Sequence, residues 1–275
     1  MTPEQKGRRS MKYQRVFAIL FGGLVLLTGC ATAPYETPYQ KHTRRGYEYL
    51  QGAPMYLTNF MAAEREFKEA VRLNPDEPQA YYNLAWAYEV IESYGSAASV
   101  YREAVRLRPD DPKAHYKLAM AYQGHAFQRG TKDWQKFIDQ RGTKDWQKFI
   151  DQAVAEFREA IRLKPHFAEA HLKLGGLLAK MSYEETGIEY KAAVRGSRAG
   201  VIKEYRYKPS EEAEKEYREA VRVAPDYVWA QEALARYLDQ FGRRKEARVY
   251  WERALKLMND PYWVKEIKKR LAEPR

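Results

Sequence analysis

Residues 97–109 read Ala97-Ala-Ser-Val-Tyr-Arg-Glu-Ala-Val-Arg-Leu-Arg-Pro109. Four other stretches align with this one without gaps: Ala63–Pro75, Ala153–Pro165, Ala213–Pro225 and Ala247–Asn259. Each places alanine, an aromatic ring, alanine and an aliphatic side chain at helical spacing. Four of the five then reach a proline, which lacks the N–H a helix needs and clashes with the preceding turn. Five such matches are a repeat, and a repeat constrains the fold before any single residue does.

Upstream of most copies lies a second helical pattern: Tyr81, Leu84, Ala85, Tyr88; His115, Leu118, Ala119, Tyr122; His171, Leu174, Gly175, Leu178; and Leu234, Ala235, Leu238. Small residues at Ala85, Ala119, Gly175 and Ala235 let two antiparallel helices approach closely. The cleanest unit runs from Pro78 to Asp111, and it resembles the tetratricopeptide repeat family. The resemblance covers most of residues 47–275. It implies an all-α solenoid, a right-handed superhelix of about five to six antiparallel helix pairs in which no pair is stable alone. Residues 261–275, with Trp263, Ile267 and Leu271 on one stripe and a basic opposite side, are expected to close it as a capping helix.

The repeat register breaks twice, at insertions near 123–152 and 179–212. In the first, Arg129–Gln140 recurs residue for residue as Arg141–Gln152. Asp145 is expected to cap a lengthened helix with the stripe Trp146, Phe149, Ile150, Ala153 and Phe157. The first copy would form a short extra turn near Trp134, Phe137 and Ile138, either a tolerated bulge or one that presents tryptophan to a partner. In the second insertion, Glu189-Tyr-Lys-Ala-Ala-Val-Arg195 echoes Glu216-Tyr-Arg-Glu-Ala-Val-Arg222. This predicts a helix pair over 168–195, followed by a shortened first helix over 196–212.

The amino terminus has a different character. Lys6, Arg8, Arg9, Lys12 and Arg15 precede the apolar run Val16–Leu27. Twelve apolar residues reach about 18 Å as a helix, short of the roughly 30 Å of bilayer hydrocarbon, so the run reads as a signal-segment core. It ends Leu27-Thr28-Gly29-Cys30, which resembles the lipobox of bacterial lipoproteins. That resemblance implies cleavage after residue 29, a diacylglycerol-modified Cys30 and, with Ala31 rather than Asp next, the periplasmic face of the outer membrane instead of the inner one. The alternative is a buried free cysteine behind an ordinary signal sequence. Residues 30–46, with Pro34 and Pro38 and no apolar stripe, read as a tether to a solenoid beginning at 47.

The 275 residues carry a formal charge of +11. Without residues 1–29 the balance is 43 Lys/Arg against 36 Asp/Glu, or +7. This remainder is taken as spread over amphipathic helices and the tether's Lys41, Arg44 and Arg45. One cysteine excludes an internal disulfide framework. Nucleic-acid binding conflicts with export, so no nucleic-acid partner is expected.

No phosphate loop, dinucleotide turn, nucleophile elbow or paired-histidine zinc motif is present. No catalytic residue, metal or cofactor is therefore assigned, and His115 and His171, at one position of two repeats, are expected to pack. The family resemblance implies instead a groove for a protein or peptide partner, lined by the first helix of each pair. Its positions carry over to Tyr82, Trp86, Glu89, Lys113, Tyr116, Met120, Leu172, Trp229 and Arg236; the other reading is that these side chains pack within the chain. The clamp that some family members use for chaperone C-termini is absent, because Trp86, Met120 and Tyr82 stand at its asparagine and lysine positions. The whole reads as a membrane-anchored scaffold for secretion, pilus, outer-membrane or polysaccharide-export assembly. Its rival is a peptidoglycan- or polysaccharide-acting envelope protein with a site in one insertion.

Overall fold

The computed structural model describes residues 36–51, 57–128, 144–191, 201–207 and 209–272. Eleven helices run through them: α1 (Pro38–Gln51), α2 (Leu57–Leu73), α3 (Pro78–Val90), α4 (Tyr94–Leu107), α5 (Pro112–Gln128), α6 (Lys144–Leu163), α7 (Ala168–Met181), α8 (Glu211–Val223), α9 (Val228–Gln240), α10 (Arg244–Leu257) and α11 (Pro261–Ala272). Two strands, β1 (Tyr183–Lys191) and β2 (Val201–Tyr207), lie between α7 and α8. The fold is an α-solenoid of five helix pairs, α1–α2 to α9–α10, closed by α11. No helix among the described residues is long and apolar enough to cross a membrane.

The five aligned segments form α2, α4, α6, α8 and α10, and their repeat becomes a repeated core. Ala63, Ala97, Ala153, Ala213 and Ala247 are completely buried, as are Ala70, Ala104, Ala160, Ala220 and Ala254. Between each pair of alanines stands a buried ring: Phe67, Tyr101, Phe157, Tyr217 and Trp251. Side chains of one stripe thus meet both neighbouring helices, and each pair depends on the next for its apolar burial.

Helix ends follow local chemistry. Prolines 75, 109, 165 and 225 stand just past α2, α4, α6 and α8. Pro78, Pro112 and Pro261 open α3, α5 and α11, where a missing N–H costs nothing. The Asp111 and Asp260 carboxylates accept from the first-turn N–H groups of Lys113 and Tyr262, at 2.8 and 2.9 Å. Ser210 Oγ accepts from the Ala213 N–H at 3.2 Å and caps α8.

Three expectations change. The solenoid begins with α1 at Pro38, inside the stretch read as tether. Only Gly46 and Leu50 of its fourteen residues are buried, so it has little apolar stripe to betray it. Gly46 is required there, since a Cβ would stand 2.4 Å from the Phe67 ring.

The second change concerns the 179–212 insertion. Among its described residues there is no helix pair of its own: α7 packs directly on α8, and the residues between them include an antiparallel two-stranded ribbon. The register sets Tyr183 opposite Tyr207, Glu184 opposite Arg206 and Glu189 opposite Lys203, with an irregularity between Glu185 and Glu189. The echo of α8 in Glu189–Arg195 is outweighed by the β-branched and aromatic residues that alternate through 201–207. The third change follows from the second: the expected shortened first helix over 196–212 is replaced by β2 and the start of α8.

Both insertions therefore join the two helices of one pair, α5 to α6 and α7 to α8. Helix α6 is the lengthened helix expected, but it begins at Lys144, so Asp145 lies within its first turn and does not stand at the cap; Trp146, Ile150, Ala153 and Phe157 are buried along its stripe with Phe149 half-buried. The first tandem copy, with Trp134, Phe137 and Ile138, lies outside the described residues, as do residues 1–35 with the signal segment and Cys30. Since α5 and α6 already pack along their full described lengths, deletion of residues 129–140 is expected to shift the thermal midpoint by no more than about 4 °C, the equivalent of roughly 1 kcal/mol. A loss of the cooperative circular-dichroism transition would contradict this.

Candidate partner-binding surface

The residues carried over to the groove all fall on α3, α5, α7 and α9, the first helix of four successive pairs. Tyr82, Trp86 and Glu89 are three and four residues apart on α3 and so share a face. Tyr82 donates its hydroxyl to the Asp111 carboxylate at 2.8 Å, and the Lys113 ammonium lies 5.4 Å from its ring centre. Burial, and then the Asp111 carboxylate, hold the Tyr82 phenol far above its ordinary range, so it stays a neutral donor. Glu89 accepts from Lys117 at 3.1 Å, a second link from α3 to α5.

Tyr116 on α5 packs against Phe157 and against Phe167 at the start of α7, with ring centres 5.9 and 5.0 Å apart. Burial pushes its phenol up to about 12. Trp86 meets Tyr47 of α1 at 5.7 Å. Met120 and Leu172 are half-buried against the two larger core clusters.

Trp229 is 40% exposed and stands edge-on to Trp263 at 5.5 Å, with Tyr262 beyond at 66% exposure. Arg236 pairs with Glu232 on α9 and keeps most of its side chain in solvent.

The nine positions thus divide. Tyr82, Trp86, Glu89, Tyr116, Met120 and Leu172 tie neighbouring repeats together and show only part of their surface. Lys113, Trp229 and Arg236 are exposed. Six of the nine therefore pack within the chain, and three stand in solvent.

A feature missed at the sequence level lies at the histidines. His115 Nε2 donates to the Pro109 carbonyl at 2.9 Å and His171 Nε2 to the Pro165 carbonyl at 3.1 Å. At the same repeat position Tyr81 donates to Pro75 at 2.9 Å and Gln231 to Pro225 at 2.7 Å. One donor per repeat therefore ties a first helix to the proline carbonyl that ended the preceding one.

The histidines have a second partner. Nδ1 of His115 lies 2.6 Å from Glu156, that of His171 2.6 Å from Glu216, and that of His42 in α1 2.6 Å from Glu66. Each joins the two helices of its own pair. Repeats with Tyr81 or Gln231 have Val100 or Tyr250 where the others have the glutamate. The three histidine–glutamate pairs belong to the three repeats whose helices are separated by extra residues. A cross-link between the helices replaces the constraint of a short turn. The covarying residues, His42, His115 and His171 with Glu66, Glu156 and Glu216, were legible in the aligned repeats once both helices were compared. No group of three His, Cys, Asp or Glu that would hold a metal ion occurs among the described residues.

A protein-family model described as tetratricopeptide repeat matches residues 55–122, the stretch from α2 to α5. Solved structures align over most of the chain at low identity. A tetratricopeptide-repeat protein of Thermus thermophilus aligns with a TM-score of 0.53 and 21% identity over 85% of this chain and 98% of its own. PilW, a type IV pilus biogenesis factor, aligns at 0.54 and 16% identity over 86% and 87%. MamA from Desulfovibrio magneticus RS-1 aligns at 0.52 and 14% identity over 80% and 94%. No curated protein matches the sequence. Five helix pairs with one repeated core, the family match from α2 into α5 and these alignments agree on the fold, a solenoid of the tetratricopeptide-repeat type.

Proposed function

We propose that this protein is a membrane-anchored adaptor of the bacterial envelope, which binds a protein or peptide partner along the first helices of its solenoid. The observation that carries the proposal is the row from Tyr82 through Lys113 and Tyr116 to Trp229 and Arg236. It presents aromatic rings, hydroxyls and charges from successive repeats of one rigid scaffold, the residue types that anchor protein interfaces. The lipobox-like Leu27-Thr28-Gly29-Cys30 supports an acyl anchor, and an anchor raises the local concentration of whatever the solenoid holds. Pilus biogenesis, the role of PilW, is one of the envelope assemblies such an adaptor would serve.

Affinity purification from detergent-solubilised envelopes tests the row. Recovery of at least one partner is expected to fall about tenfold in Trp229→Ala/Arg236→Ala, whose side chains are exposed, and in Tyr82→Ala/Trp86→Ala. Equal recovery of every partner would remove the groove from consideration. Labelled palmitate that enters the wild type and not Cys30→Ala is the expected result for the anchor.

A further inference from the structure

The basic excess is not spread along the solenoid, contrary to the expectation above. Residues 30–242 hold 32 Lys/Arg against 31 Asp/Glu, whereas residues 243–272, α10 and α11, hold ten against four. The body is close to neutral and its last two helices carry the surplus.

A cavity of about 690 Å3 opens there, between the α9–α10 turn, the start of α10 and the end of α11. Arg243, Arg244, Lys245, Arg248 and Arg270 line it, with Trp251 and Leu271 as apolar wall. Asp239 and Glu246 line it too, but both are engaged. The Asp239 carboxylate accepts from the Trp251 indole at 2.6 Å, and Glu246 is held by Arg218 and Arg243. Arg243 also reaches Glu214 at 2.6 Å, and Arg248 reaches Glu252 at 2.9 Å. Lys245 and Arg270, both exposed, enter no ion pair among the described residues.

The cavity by α2, lined by Glu64, Glu66 and Glu69 with Arg65, Lys68 and Arg72, is balanced in charge. A smaller cavity of about 260 Å3 between α4, α5 and α6 carries Arg102 and Lys148, against the five cations of the α9–α10–α11 cavity.

We propose that the α9–α10–α11 cavity is a docking site for an acidic segment of a partner protein, whose carboxylates pair with Lys245, Arg270 and the neighbouring guanidinium groups. Charge complementarity names the occupant, and shape narrows it. Four of the five lining cations are arginine, whose planar fork binds a carboxylate bidentately. The volume lies in the range of sites that enclose a ligand rather than touch a plane. A bilayer surface would select the exposed Lys265, Lys268 and Lys269 of α11, which lie outside the cavity lining, as readily as Lys245 and Arg270, which line it.

The test is fluorescence anisotropy of a labelled, glutamate-rich peptide of about nine residues, titrated with the full-length protein in about 50 mM salt, with its glutamine counterpart as control. The glutamate peptide is expected to bind about tenfold more tightly than the glutamine peptide and to weaken as salt rises. Lys245→Ala/Arg270→Ala is expected to abolish that preference with an unchanged circular-dichroism spectrum and thermal midpoint. Lys265→Ala/Lys268→Ala should retain it. Equal affinity for the two peptides overturns the proposal, as does an undiminished preference in the Lys245→Ala/Arg270→Ala variant. So does capture by phosphatidylglycerol vesicles that depends on Lys245 and Arg270 while the peptide fails to bind. Tyr82→Ala, in the second repeat, should leave peptide binding unaltered, so loss of the adaptor groove and loss of this site are separate outcomes.

Discussion

Phe157→Ala is expected to destabilise the solenoid by about 3–5 kcal/mol, the cost of emptying a fully enclosed aromatic site. The ring has no exposed surface and sits in the cluster that joins α4, α5, α6 and α7. Helices α5 and α6 are the two of one pair, and they have no short turn to hold them together. Loss of the ring removes their shared wall and also the support of Tyr116, whose ring it meets at 5.9 Å. Urea unfolding followed at a helical circular-dichroism wavelength should show the midpoint falling well below that of Phe157→Leu, which keeps most of the volume. Because a solenoid is held by neighbour-to-neighbour contacts, the transition should also broaden as the two sides of the third repeat melt apart. A loss below about 1 kcal/mol would mean that the site collapses around the smaller side chain.

The second large effect belongs to His171. Its ring is buried between the Pro165 carbonyl, which can only accept, and the Glu216 carboxylate, so both ring nitrogens donate and the imidazolium is the form that fits. Burial opposes that charge, but Glu216 and the carbonyl outweigh it and the folded pKa lies above the ordinary histidine value. His171→Ala strands a carboxylate whose side chain is 13% exposed and an acceptor beside it. Breaking a buried pair in this way costs about 3 kcal/mol. His171→Gln should recover part of the loss, because Gln231 in the fifth repeat makes the same bond to its proline carbonyl.

The pH dependence has a definite sign. A histidine whose pKa is raised by folding binds its proton more tightly in the native state, so its stabilisation is complete below the unfolded value of about 6.5. It is lost as pH rises through the higher folded value. Urea midpoints measured from mildly acidic to alkaline pH should therefore fall in the wild type and fall less in His171→Gln. A wild-type midpoint that rises over that interval would place the proton elsewhere.

Particular residues show why some elements were legible and others were not. Helices α2, α4, α6, α8 and α10 could be read because alanine and an aromatic recur four residues apart and a proline usually stops the run. These are local signals, each complete within thirteen residues. Helix α1 gave no such signal, since its place depends on Gly46 meeting Phe67 and His42 meeting Glu66, contacts made between α1 and α2. The ribbon was misread because a seven-residue echo of α8 carried more apparent weight than alternation in β2.

The candidate surface followed the same division. Its positions on α3, α5, α7 and α9 came from repeat phase, but which of them are spent on neighbouring repeats depended on partners such as Asp111, Lys117 and Phe167. The basic cavity joins a turn at Gly242 to Arg270 some thirty residues later, and periodicity does not bring such groups together.

The amino-acid sequence by itself determined that this protein is an α-solenoid of repeated helix pairs, because helical phase recurs in every copy and proline stops in four of the five, and both are properties of neighbouring residues. Only the tertiary structure decided that both long insertions lie within helix pairs, that α7 closes on α8 across the ribbon, and that histidine–glutamate bridges hold such pairs together. Those outcomes rest on burial and hydrogen bonding between residues far apart in the chain, where the energy depends on which surfaces meet.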